Sequence, residues 1–219
     1  AIALAALPLL QRADMAGNID SVKLHLGTWL LMLLPAFVGG VLEDMTQRLR
    51  VSWRLLLTLT SGLLAWGVLG VSVPHLGFGW IDPYWAAWPW LGVGVAVLAV
   101  TGLPHAFNII DGYNGLAGAV ALVVCLALAH VALQVGDREL AAMALALAAA
   151  TAGFLVWNYP RGLIFAGDAG AYLWGLLIAV ISLLLVQRHP IVSPWFPMLL
   201  LIYPVWETVF SIYRKLWRG

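Results

Sequence analysis

The chain has 219 residues, of which 63% are hydrophobic and 10% charged, against about 25% charged in an ordinary water-soluble domain. Its mean hydropathy is +0.96 and its formal net charge +1, which excludes a water-soluble globular domain and leaves no basic run suited to nucleic acid. A membrane-spanning helix takes about 20 residues, so there is room for about seven to eight spans. The fold class is therefore all-α, a polytopic transmembrane helical bundle forming one integral membrane domain over 1–219.

Apolar runs fall at about 1–10, 26–42, 54–73, 89–104, 115–135, 140–157, 170–187 and 194–213, each bounded by polar, Gly or Pro residues. Backbone groups in lipid must be satisfied internally, so these runs are helices unless they close into a barrel. The alternating pattern of barrel strands is absent. The first run, Ala1 to Leu10, shows neither a basic leader nor a small-residue cleavage site and reads as the cut end of a helix rather than a signal peptide. The chain stops soon after the last run, so both ends are expected to be truncated.

Between the second and third runs stand Glu43 and Asp44, a carboxylate pair closing an apolar helix. After the run 89–104 comes Phe107-Asn108-Ile109-Ile110-Asp111-Gly112-Tyr113-Asn114-Gly115-Leu116-Ala117-Gly118. Asn108, Asp111 and Asn114 are spaced i, i+3, i+6, which places them on one face if that turn is helical. Cys125, the single cysteine, sits inside an apolar run, so an intramolecular disulfide is excluded. After 140–157 come Asn158-Tyr159-Pro160-Arg161 and Ile164-Phe165-Ala166-Gly167-Asp168-Ala169-Gly170.

Alternating spans put the connections 43–53, 105–114, 158–169 and 214–219 on one side. That side holds seven basic residues, Arg48, Arg50, Arg54, Arg161, Arg214, Lys215 and Arg218. The other holds Arg12, Lys23, Arg138 and Arg188. An excess of Lys and Arg marks the cytoplasmic side, and all three polar clusters fall there. The aromatic stretch Pro74 to Trp90 then reads as an interfacial belt on the outer side. His25, His75, His130 and His189 are interfacial on that same side, whereas His105, next to Pro104, reads as a loop residue.

Carboxylates near membrane depth cost about 2.5 to 3.5 kcal/mol each at a helix centre, so acids converging on one face call for a function. Hard oxygen ligands suit Mg²⁺, which takes one or two carboxylates and completes its shell with water and phosphate oxygens. Glycines at helix starts leave free N–H groups that favour phosphate. Arg48, Arg50 and Arg161 are either phosphate contacts or orientation-setting flanks.

At these residues the sequence resembles the polyprenyl-phosphate N-acetylhexosamine-1-phosphate transferases, the MraY-like and WecA-like enzymes. Phe107 to Gly112 with Gly115 to Gly118 resembles the family's asparagine and aspartate cytoplasmic motif, and Asn158 to Pro160 through Phe165, Gly167-Asp168 and Gly170 resembles its magnesium-binding loop. The resemblance implies a Mg²⁺-dependent enzyme of the bacterial inner membrane whose active site faces the cytoplasm. It would transfer a sugar-1-phosphate from a UDP-sugar to undecaprenyl or another polyprenyl phosphate, release UMP and so initiate a cell-envelope polysaccharide.

By the same resemblance Asp168 ligates the metal, Asn108, Asp111 and Asn158 line the nucleotide-sugar site, and Phe165 lies near the nucleobase. Glu43, Asp44 and Asp111 are the candidate catalytic acids, Asp44 or Asp111 serving to deprotonate or position the lipid phosphate. Arg161 and Asn114 are candidate substrate contacts. Two positions depart from the family: Glu43 stands where it has a first aspartate, and Asn114 where many members have another. The family's histidine-bearing loop would lie beyond Gly219, so the 219-residue chain alone is expected to lack turnover. The oligomeric state stays open, with a homodimer as one option. The rival readings are a transporter or flippase, since intramembrane acids also mark ion pathways, and a catalytically degenerate member of the family.

Overall fold

Apolar segments denied water close their hydrogen bonds internally as helices, and the chain does so at each described run. The structure, a computed structural model, describes residues 19–218. It holds α1 (Ile19–Thr46), α2 (Val51–Leu69), a short α3 (Asp82–Ala87), α4 (Pro89–Ile110), α5 (Leu116–Gln134), α6 (Arg138–Asn158), α7 (Gly167–Arg188), α8 (Trp195–Leu200) and α9 (Ile202–Arg218). Among the described residues no strand occurs. Six segments are long and apolar enough to cross a membrane: Gly27–Thr46 of α1, and α2, α4, α5, α6 and α7.

Three boundaries differ from the sequence expectation, each for a local reason. The expected run 54–73 ends as a helix at Leu69 because Gly70 takes the left-handed conformation, φ 66°, with its N–H turned back to the Trp66 carbonyl at 2.8 Å and the Val71 N–H to that of Ala65 at 3.5 Å. The run 89–104 continues to Ile110 through Pro104, so His105 is a helical residue and not a loop residue. The run 194–213 is not one helix but two, parted at Leu201. Pro197 and Pro204 each lack a backbone N–H, and neither α8 nor α9 by itself is among the segments long and apolar enough to span. The run 1–10 lies outside the described residues.

The bundle is organised around α7, which is buried over most of its length and packs on α1, α4, α5 and α6. Gly175 is the close contact: a Cβ there would lie 2.4 Å from Pro104 N and 2.5 Å from the Leu103 carbonyl. Without a hydrophobic drive between helices in lipid, association rests on such small-residue contacts and on polar pairing. Cys125 is buried in the core. Leu30, Leu34, Leu55, Leu98 and Val123 are exposed along the spans, the surface that lipid covers. α9 lies against α4.

At the end of the bundle away from the three polar clusters, Trp80, Tyr84, Trp88 and Trp90 are exposed, as an interfacial belt requires. Here Asp137 caps α6, accepting the Leu140 N–H at 3.0 Å, while its other oxygen meets His189 Nε2 at 3.0 Å and Arg188 at 3.4 Å. Arg188 also bonds Glu139 at 2.9 Å. Burial opposes ionisation of Asp137, but the Leu140 N–H, His189 and Arg188 outweigh it and hold the carboxyl below the usual range. A depressed folded pKa contributes stability above the unfolded value and loses it as pH falls through the folded one. Asp137→Asn keeps a capping acceptor but loses the charge that pairs with Arg188 and His189, so it should lower stability by up to about 1 kcal/mol and flatten the acid limb of thermal stability against pH measured in detergent.

Candidate active site

The C-terminal end of α1 meets the N-terminal end of α7 backbone to backbone. A Cβ on Gly40 would stand 2.5 Å from Ala169 Cα and 2.6 Å from Ala169 N, so only glycine allows the approach. One turn later Asp44 accepts from two N–H groups of α7, Asp168 at 2.7 Å and Ala169 at 3.0 Å. These are orphan donors of a helix start, where negative charge is favoured. Gly167 makes room: it holds φ +65°, and a Cβ there would come within 2.6 Å of an Asp44 oxygen. Asp44 thus works as a cap that ties α1 to α7.

The capped turn presents Asp168 to three other helical positions. Its Oδ1 accepts from Asn108 Nδ2 of α4 at 2.7 Å, and its Oδ2 from Arg54 Nη1 of α2 at 3.1 Å and from the Tyr172 hydroxyl at 3.4 Å. Arg54 also approaches Glu43 Oε1 at 3.8 Å. The other Glu43 oxygen accepts the Leu49 N–H at 2.9 Å and holds the α1–α2 turn. Behind Arg54 the buried Thr58 bonds His105 Nε2 at 3.0 Å, and His105 lies edge-on to Tyr172 with ring centroids 5.2 Å apart.

The second cluster is not one helical face. α4 ends at Ile110, and 111–115 form a turn leading into α5, so Asn108 points to Asp168 while Asn114 turns away and donates to the Pro160 carbonyl at 3.2 Å. Asn158 is buried and both ends of its amide are engaged: Oδ1 accepts the Gly115 N–H, and Nδ2 donates to the Ile164 carbonyl at 2.8 Å. Asn114 and Asn158 together clasp the 111–115 turn to the 158–166 loop. Arg161 and Phe165 are exposed on that loop, Phe165 at 75%.

Asp111 differs from the other acids. Its carboxylate is half-buried and has no hydrogen bond or ion pair among the described residues. Burial, and behind it the charge of Asp168, push its carboxyl up to about 6. Among the described residues no cluster of three or more His, Cys, Asp or Glu forms a ready metal cage.

The structure therefore gathers Glu43, Asp44, Asn108, Asp111 and Asp168 at one end of the bundle, with Asn114, Asn158, Arg161 and Phe165 on the adjoining loop. Sequence reasoning missed Arg54 as a partner of Asp168, 114 positions away, and missed Tyr172, Thr58 and His105. A basic residue one turn inside a span is costly, and that was the available signal for Arg54. Gly167→Ala should lower the melting temperature in detergent and Gly112→Ala should not, since a Cβ at Gly112 meets nothing within 4 Å. Equal melting temperatures for the two variants would contradict the capped turn.

The family model described as "Glycosyl transferase family 4" matches residues 26–186. Over 128 residues the chain is 33% identical to the "Probable undecaprenyl-phosphate N-acetylglucosaminyl 1-phosphate transferase" of Bacillus subtilis (strain 168), covering 58% of this chain and 36% of the relative. It is 28% identical over 187 residues to the "Undecaprenyl-phosphate alpha-N-acetylglucosaminyl 1-phosphate transferase" of Thermotoga maritima, 85% of this chain and 54% of the relative. To the "Phospho-N-acetylmuramoyl-pentapeptide-transferase" of Moorella thermoacetica it is 35% identical over 151 residues, 67% and 45%. The aligned part thus spans between 36% and 54% of the length of these relatives.

Proposed function

This chain belongs to glycosyl transferase family 4, and we propose on that premise that the protein moves a sugar-1-phosphate from a UDP-sugar onto polyprenyl phosphate at the cytoplasmic face of a bacterial inner membrane. The observation that carries the reading is the pairing of Asp168, held by donors from α2 and α4 and by Tyr172 of its own helix, with the unpartnered Asp111 at the same end. A half-buried carboxylate whose ionisation is opposed by burial and by the charge of Asp168 suits a cation. Mg²⁺ needs no more than one or two of them when substrate phosphates and water complete its shell, so the donor set fits the metal.

In this reading an oxygen of the lipid phosphate attacks the β-phosphorus of the UDP-sugar, the bond from that phosphorus to the UMP oxygen breaks, and UMP leaves. When bound, Mg²⁺ supplies charge neutralisation on the pyrophosphate. Asp168 and Asp111 would hold the ion. Asp111, whose carboxyl burial pushes up to about 6, also orients the acceptor phosphate and takes any proton it carries. Asp44 acts through α7 as a positioning residue, since both its oxygens are engaged there. Asn108 keeps Asp168 in place. Glu43 holds the α1–α2 turn and the far side of Arg54, which the longer Glu side chain reaches. Arg161 and Phe165, exposed on the loop, serve the phosphates and the base.

Orientation draws support from exposed basic residues. Arg48, Arg50 and Arg161 stand exposed at the site end with no acidic partner among the described residues, whereas Arg188 at the other end is paired with Asp137 and Glu139. A transporter would place its polar residues near the bilayer midplane in broken helices. Here the acids lie at span ends, and uptake into vesicles without UMP release would be needed to revive that alternative.

Asp168→Asn in the full-length protein should still insert in membranes and lose metal-dependent UMP release by at least about 100-fold, the scale on which one electrostatic contact to a developing charge counts. Wild-type activity with unchanged Mg²⁺ dependence would refute the assignment. Asp111 has its folded pKa raised above the ordinary 3.8, so its active, ionised form is lost as pH falls through about 6. kcat/KM should fall with unit slope below that point, and raising Mg²⁺ should move the limb to lower pH.

A further inference from the structure

Arg54 sits where a metal would be expected to act. Its Nη1 lies 3.1 Å from Asp168 Oδ2 and 3.8 Å from Glu43 Oε1, so one guanidinium is shared between two carboxylates of the site and offsets one of their two charges. Asp168 Oδ2 already carries two donors, Arg54 and Tyr172, while Oδ1 carries one, Asn108. The guanidinium is itself under-used. Its Nε is buried without an acceptor among the described residues, while its other side-chain contacts there go to Asp168 through Nη1 and to the Tyr172 hydroxyl. Five N–H donors in a planar fork are more than this arrangement consumes.

We infer that Arg54 is the resident counter-ion of Asp168, competing with a divalent cation for that carboxylate and thereby setting the metal affinity of the site. The inference rests on the reading of Asp168 as a metal ligand. Two cations within a few ångströms repel, and the repulsion is strong where water is partly excluded. A divalent ion arriving at Asp168 therefore pushes the guanidinium off Oδ2. Arg54 cannot lose its proton to escape, so it keeps its charge and turns its free N–H groups to the next available anion, for which a substrate phosphate oxygen has the matching geometry. Metal loading and phosphate capture are then coupled: without the ion Arg54 is engaged by Asp168, and with it the site gains a free phosphate donor.

A purely structural ion pair predicts the opposite sign. If Arg54 only held Asp168 in place, its removal would loosen the carboxylate and weaken metal binding. Mn²⁺ binding to the full-length protein in detergent, followed by electron paramagnetic resonance of the free ion, separates the two. Arg54→Gln should tighten Mn²⁺ binding about fivefold, near the upper worth of a partly exposed ion pair, and Arg54→Lys, which keeps the charge, should stay within about twofold of wild type. An unchanged or weaker affinity in a folded Arg54→Gln protein would overturn the inference. Absence of Mn²⁺ binding in wild type, or full binding in Asp168→Asn, would instead overturn the metal reading from which it starts. Should Arg54→Gln not fold, ¹⁵N-labelled wild type decides the matter: the Arg54 Nε–H resonance, assigned by its loss in Arg54→Lys, should shift on adding Mg²⁺. A resonance indifferent to Mg²⁺ would contradict the displacement.

Discussion

One contact underlies the site: the Asp44 carboxylate receiving the first N–H groups of α7. A helix start carries unpaired donors and a partial positive charge, and near a membrane surface these must be met by the protein or by water. Asp44 meets two of them from a different helix, and Gly40 and Gly167 remove the atoms that would keep the two backbones apart. Everything else follows in space. Asp168, the second residue of α7, is thereby fixed relative to α1, and Arg54 and Asn108 reach it from α2 and α4.

The same economy explains the asparagines. An amide offers both a donor and an acceptor, so Asn158 can bond the Gly115 N–H and the Ile164 carbonyl at once. Asn114 adds a second tie to the Pro160 carbonyl. The consequence is a loop pair that keeps its own backbone satisfied while presenting Arg161 and Phe165 outward and holding Asp111 half-buried. Acids that resemble one another in the sequence thus divide by environment. Asp44 is consumed by backbone, Glu43 by a turn and an arginine, and Asp168 by three side chains, which leaves Asp111 without a partner among the described residues and with its carboxyl pushed up to about 6.

Much of this was legible beforehand because membrane solvation is a strong constraint on composition. Apolar runs marked six spans to within a few residues, and the punctuation between them placed the three polar clusters at one end. Where the expectation failed, local chemistry had intervened. Gly70 stopped a helix that hydropathy alone would have extended, and Pro104 did not stop one because α7 packs against it through Gly175. The run 194–213 looked continuous in hydropathy, yet two prolines divide it. The equal spacing of Asn108, Asp111 and Asn114 suggested one face, but the chain leaves the helix at Asp111 and sends Asn114 elsewhere.

The sequence by itself determined the solvent, the helical class, the end of the bundle where chemistry is concentrated and, through two ordered motifs, the family, since each depends on local composition or on residues close together in the chain. Only the tertiary structure decided which carboxylate does what. Asp44 and Asp168 are 124 positions apart, and Arg54 and Asp168 are 114. No periodicity encodes a hydrogen bond between helices that distant. It is set by how closely glycine lets their backbones approach and by which donors are left unpaired when they do.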